Sequence, residues 1–141
     1  MNATLLYRIC AFVLVLFAAG HTLGFMTFKA PTPEGVAVQQ AMDNVRFSMG
    51  GKSLSYGDFY RGFGVFCTAY LLFAAFLAWH LGTMARSTPQ AVGELGWVSF
   101  GLQLVGIVIS WRYFVLPPTI FSVVLAILTG WAAWLVNAAK A

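Results

Sequence analysis

Four apolar runs of bilayer length constrain this chain more than anything else in it. They cover residues 4–28, 58–83, 95–116 and 118–137, each close to the ~20 residues that carry a helix across the hydrocarbon core. Lipid offers no partner to unpaired backbone N–H and C=O groups, so such runs must be helical. Hydrophobic residues make up 60% of the chain and charged residues 9%, a composition that excludes an ordinary soluble domain and a disordered one. A length of 141 residues suits one compact unit. The expected fold is all-α: an integral membrane antiparallel four-helix transmembrane bundle, a single domain over 1–141, with a short amphipathic interfacial helix between helices one and two.

Taken in order, residues 1–24 have the outline of a signal peptide, with Arg8, an apolar stretch and Ala18-Ala19-Gly20. The apolar run continues beyond that point, which favours a first spanning helix. Gly20 and Gly24 form a small-xxx-small pair suited to close helix approach. In the long connection 29–57, Thr32-Pro33-Glu34 reads as cap, first helical proline and first-turn acid. Val38, Met42, Val45 and Met49 recur at helical spacing, with Asp43 and Arg46 pointing elsewhere. This predicts an interfacial lid over 33–49, ended by Gly50-Gly51. Gly51-Lys52-Ser53 resembles the tail of a phosphate loop, but Arg46 stands where the earlier glycine belongs, so a nucleotide loop is rejected.

Ser55-x-x-Asp58 predicts a capping box at the start of helix two. Residues 84–94 read as a turn, and Pro117-Pro118 as a sharp bend before helix four. Ala126 and Gly130 form a second packing pair, and helix four is expected to end at Asn137 and Lys140. Trp79, Trp97, Trp131 and Trp134 fall at one membrane face, as an aromatic belt. The basic residues give only a weak lean toward a cytoplasmic 29–57 connection.

The candidate site gathers residues expected at one end of the spans: His21, Asp58, Arg61 and Arg112, with Tyr56, Tyr60, Tyr113 and Ser122 nearby. Asp58 and Arg61 are three apart and share a helix face. Ionisable groups within spans usually pair, snorkel or face a polar cavity. Arginines beside a helix start would attract a carboxylate, phosphate or enolate oxygen, and His21 is the candidate acid/base. Each residue also has a plain role, Asp58 as a cap, the arginines as headgroup anchors and His21 as an interfacial histidine bonded to a carbonyl. His80 reads as interfacial beside Trp79. No metal set or cofactor motif is visible, and Cys10 and Cys67 read as small buried hydrophobes, not a redox pair. A net charge of +4 without a basic stripe argues against nucleic acid.

Arg8, Gly20 and Leu23 of helix one resemble the opening of the DoxX-like small four-helix bacterial membrane proteins, with His21 and Thr22 where that family often carries lysine. The layout also resembles the EXPERA-type bundle, whose members bind sterols or isomerise their double bonds, although the family's intramembrane carboxylates have no counterpart here. The resemblances imply a multi-pass protein of the bacterial cytoplasmic (inner) membrane. The preferred expectation is binding of an amphiphilic lipid-, quinone- or sterol-like molecule, its head at His21, Arg61 and Arg112 and its apolar part along Phe17, Phe63 and Phe66. The alternatives are an accessory subunit of a larger membrane complex or homo-oligomer, and an intramembrane isomerase using His21.

Overall fold

A computed structural model describes residues 2–138; Lys140, expected at the end of helix four, lies outside them. The described chain forms α1 (Ala3–Thr27), α2 (Pro33–Asn44), β1 (Arg46–Met49), β2 (Lys52–Ser55), α3 (Tyr56–Ser87), α4 (Pro89–Tyr113) and α5 (Leu116–Ala138). The fold is all-α apart from one small hairpin, and α1, α3, α4 and α5 are each long and apolar enough to cross a membrane.

Three boundaries differ from the expectation, the first being that Pro117 and Pro118 lie in the first turn of α5, which starts at Leu116, and not in a bend before it. The stretch 84–94 is not a turn: α3 runs to Ser87 and α4 starts at Pro89, with Thr88 alone between them. Proline has no N–H to lose at a helix start, so Pro89 opens α4 readily. The lid is also shorter than 33–49. Helix α2 ends at Asn44, and Val45 and Met49, expected on its apolar stripe, are outside it and more than half exposed. Residues 46–55 instead pair as an antiparallel hairpin, Arg46 with Ser55 through Met49 with Lys52. Gly50 and Gly51 make the two-residue turn with φ of 59° and 77°. Positive φ at both turn positions matches the twist of flanking strands and is cheap only for residues like glycine.

Contacts group the chain into two compact units, one of residues up to Phe17 and from Leu71 onward, the other Ala18–Tyr70. In the first unit, α4 and α5 run antiparallel. Gly106 faces Ser122, Phe100 faces Gly130, and Gly96 faces Ala133, the numbers rising along one helix as they fall along the other. The start of α1 docks through Tyr7, which is fully buried. A Cβ on Gly82 of α3 would lie 3.4 Å from the Tyr7 Cβ, and one on Gly96 of α4 would lie 2.5 Å from its hydroxyl. Two glycines thus make room for one aromatic side chain. Leu6, Val92, Ala132 and Val136 close around it, while Cys10, Leu14, Ala75, Ala78 and Leu125 form the neighbouring core cluster. Such small-residue seams let backbones approach where association depends on close packing.

Candidate functional site

The second unit holds five of the eight sequence-predicted site residues: His21, Tyr56, Asp58, Tyr60 and Arg61. Its local folds follow from caps. Thr32 caps α2, its Oγ1 accepting from the Gly35 N–H at 3.2 Å. Ser55 and Asp58 form the reciprocal box at the start of α3: the Asp58 N–H donates to Ser55 Oγ at 2.9 Å, and the Ser55 N–H donates to Asp58 Oδ2 at 3.1 Å. Helix α2 turns Gly35, Gln39 and Met42 inward at helical spacing, and the Gln39 Oε1 accepts from the Ala30 N–H at 3.4 Å.

That placement brings Asp43 to Arg61. The guanidinium donates to Asp43 Oδ1 at 2.9 Å and to Asp58 Oδ1 at 3.0 Å, so one cation sits between two carboxylates on different elements. All three side chains are about half exposed. Asp43, read from sequence as pointing elsewhere, is the partner that was missed. Gly57 explains how it gets there, since a Cβ at that position would overlap the Asp43 carboxylate. Arg46, in contrast, donates across the hairpin to the Ser53 Oγ and carbonyl at 3.1 and 2.7 Å.

His21 is held differently. Its Nε2 lies 3.1 Å from the Gly64 carbonyl. A carbonyl only accepts, so Nε2 carries the hydrogen and, in the neutral ring, Nδ1 is left as the acceptor. The neighbouring Thr22 hydroxyl meets Thr68 Oγ1 at 2.8 Å, and Phe25 packs over Gly64, where a Cβ would come within 2.7 Å of its ring. The sequence points to Gly20 and Gly24 as the close-approach pair; neither has any atom within 4 Å of an added Cβ. The contact is made by His21, Thr22 and Phe25 against the glycine on α3 instead.

An open apolar groove of about 330 Å³ lies along α3, lined by Leu54, Phe59, Gly62, Phe63 and Phe66, with Asp58 at its polar edge. That volume falls in the range of small-molecule sites, ~300–1,000 Å³. The wall is an aromatic ladder: Phe47 meets Phe59 edge-on at 5.8 Å, and Phe59 meets Phe63 edge-on at 4.9 Å. Phe66 meets Tyr70 at 4.7 Å, and Phe63 and Phe66 are still 60% and 58% exposed. At ~100° per residue, the groove residues 58, 59, 62, 63 and 66 occupy one face of α3, and Gly64 and Thr68 the roughly opposite face. His21 therefore docks behind the groove, and a ligand lying on Phe63 and Phe66 does not meet it. This corrects the expected grouping of His21 with those phenylalanines.

The remaining expected residues belong to the first unit. Ser122 is buried and packs against Gly106, its Oγ 3.3 Å from where a Cβ would be. Arg112 is exposed, with its guanidinium 5.5 Å from the ring of Tyr113, itself 74% exposed. Phe17 stacks on Phe121 at 4.7 Å. Tyr56 packs on Phe47 at 4.9 Å, and Tyr60 is exposed. Both cysteines are free; Cys10 is buried as expected, whereas Cys67 is exposed. Among the described residues no group of His, Cys, Asp and Glu could hold a metal ion. The chain matches no protein-family model, no curated protein and no solved structure.

Proposed function

We propose that this chain is a multi-pass protein of the bacterial cytoplasmic membrane that binds an amphiphile in the α3 groove. Two features support the membrane reading. Four helices have spanning length and composition, and large apolar side chains, among them Phe12, Leu16, Val98, Leu102 and Val108, are exposed in number. In water that surface would be a standing aggregation hazard; in lipid it is the ordinary exterior. The first-helix resemblance to DoxX-like proteins belongs to the same reading.

The observation that carries the binding proposal is the uncovered aromatic groove with a charged edge. The apolar body of the ligand lies on Phe59, Phe63 and Phe66, and its head reaches Asp58 and the neighbouring Arg61. Two carboxylates, Asp43 and Asp58, share one guanidinium, so the cation beside the edge is already neutralised. A neutral hydrogen-bonding head, as in a quinone or sterol-like compound, fits it better than a phosphate. The sequence expectation of an arginine free to receive an anion is replaced, because that arginine is already paired.

Equilibrium binding of a quinone analogue to the chain in nanodiscs tests this. Gly62 lines the groove and has open space around an added Cβ, so Gly62→Trp directs an indole into the groove. The proposal expects binding to fall at least about tenfold, which corresponds to ~1.4 kcal/mol. Unchanged binding in Gly62→Trp removes the groove as the site.

A further inference from the structure

The first unit contains a second cavity, of about 340 Å³, where the starts of α1 and α4 meet the ends of α3 and α5. Its walls divide by chemistry. Ala85, Leu135 and Val136 give an apolar side, and Asn2, Thr4 and Arg86 a polar one. We infer that this cavity seats the headgroup of an anionic phospholipid, with the phosphate at Arg86 and Asn2 and the first carbons of a chain against Leu135 and Val136. The inference concerns a different cavity from the α3 groove and rests only on the membrane reading.

Charge is the first argument. Arg86 is exposed and has no ion pair or hydrogen bond among the described residues, and neither has Glu94, the one acidic residue of this unit. Arg8, one turn beyond Thr4 on the same stripe of α1, lies over the Trp79 ring at 4.9 Å, and its buried Nε has no partner among the described residues. Arg86 is therefore the guanidinium at the cavity, with no carboxylate paired to it among the described residues, and Arg8 lies deeper, at the level of Trp79. An anionic headgroup supplies what the described residues do not, and guanidinium is well matched to phosphate oxygens.

Depth is the second argument. Trp79 on α3 and Trp97 on α4 mark the interfacial layer where indole rings settle. Leu135 and Val136, next to Trp134, lie close to that layer, whereas Arg86, seven residues past Trp79, and Pro89, eight before Trp97, lie ~10 Å outward of it at 1.5 Å per residue. That is the level of headgroups, not of acyl chains. The apolar wall then faces the glycerol end of the lipid and the polar wall faces its phosphate.

The test uses the full chain in detergent and native mass spectrometry, titrating phosphatidylglycerol and phosphatidylcholine of matched chains. Both lipids carry the phosphate, but choline brings a cation beside Arg86, so phosphatidylglycerol is expected to bind about tenfold more tightly. Arg86→Gln removes the preference; Lys52→Gln, a surface charge of the other unit, keeps it. Arg86 is exposed, so its replacement leaves packing intact. The inference is overturned by equal phosphatidylglycerol binding to the wild type and Arg86→Gln, by equal binding of the two lipids, or by displacement of the lipid with millimolar inorganic phosphate, which would make the site one for a free anion. Failure of the membrane reading appears separately, as release of the chain from membranes by alkaline carbonate.

Discussion

Gly96→Ala is the sharpest test of how α1 is held. The new methyl would lie 2.5 Å from the Tyr7 hydroxyl, 3.0 Å from the Ala133 Cβ and 3.3 Å from its Cα. The last of these is backbone and cannot swing aside, and Tyr7 is fully enclosed, with no exposed surface to relax into. Overpacking of this kind costs ~1–3 kcal/mol. Alanine recovers up to ~1 kcal/mol through helix propensity, so a net loss of about 0–2 kcal/mol is expected. The same hydroxyl has no hydrogen-bond partner among the described residues, and a buried unsatisfied polar group costs ~1–3 kcal/mol. Tyr7→Phe should therefore stabilise the chain by about 1 kcal/mol and absorb much of the Gly96→Ala penalty. Reversible unfolding in mixed micelles, read by tryptophan fluorescence, gives the four corners of the cycle. The account expects a favourable coupling of at least ~1 kcal/mol between the two substitutions. Strict additivity, or a Gly96→Ala chain more stable than the wild type, refutes the Tyr7 seat.

Three further outcomes follow from the structure. Gly50→Ala and Gly51→Ala place a side chain at positive φ and should each cost ~1–2 kcal/mol in the same unfolding assay, whereas Gly50→Asn should cost less. Arg61→Gln leaves Asp43 and Asp58 without their shared cation, and Gly57→Ala displaces the Asp43 carboxylate; both should speed amide exchange in residues 33–55 and leave α4 and α5 unchanged. In detergent at alkaline pH a maleimide should modify exposed Cys67 well before buried Cys10, which reacts only when the chain is unfolded, as intact mass spectrometry would record.

The four long helices were legible because bilayer length and continuous apolarity leave little choice of conformation. Their ends were less so. Arg86, Ser87 and Glu94 dilute the apolar signal over 84–94, and the better guide was Thr88-Pro89, a cap position followed by a proline at the first helical one. The hairpin was hidden by Val38, Met42, Val45 and Met49, whose spacing satisfies a helix. Yet Gly50-Gly51 between two short runs is also a two-residue turn signal. Both caps, Thr32 and the Ser55–Asp58 box, are legible in the sequence because their chemistry is local.

The site was legible in part. Asp58 and Arg61 are neighbours on a helix, so their pairing follows from spacing alone. Asp43 is 18 positions from Arg61, and nothing in the local pattern announces a contact made through the turn of α2 and the hairpin. The partner of His21 is a backbone carbonyl, and carbonyls leave no mark on a sequence. The separation of His21 from Phe63 and Phe66, in contrast, depends on which face of α3 each contact occupies. That became visible only when His21 was found against Gly64.

Photolabelling addresses the central claim most directly. A neutral diazirine-bearing sterol or quinone, irradiated with the chain in nanodiscs and mapped by peptide sequencing, should place its adducts on Leu54, Phe59, Phe63 and Phe66, and excess unlabelled compound should suppress them. Adducts spread over the outward faces of α4 and α5, undiminished by competitor, would contradict the account and leave the groove an ordinary patch of lipid-facing surface.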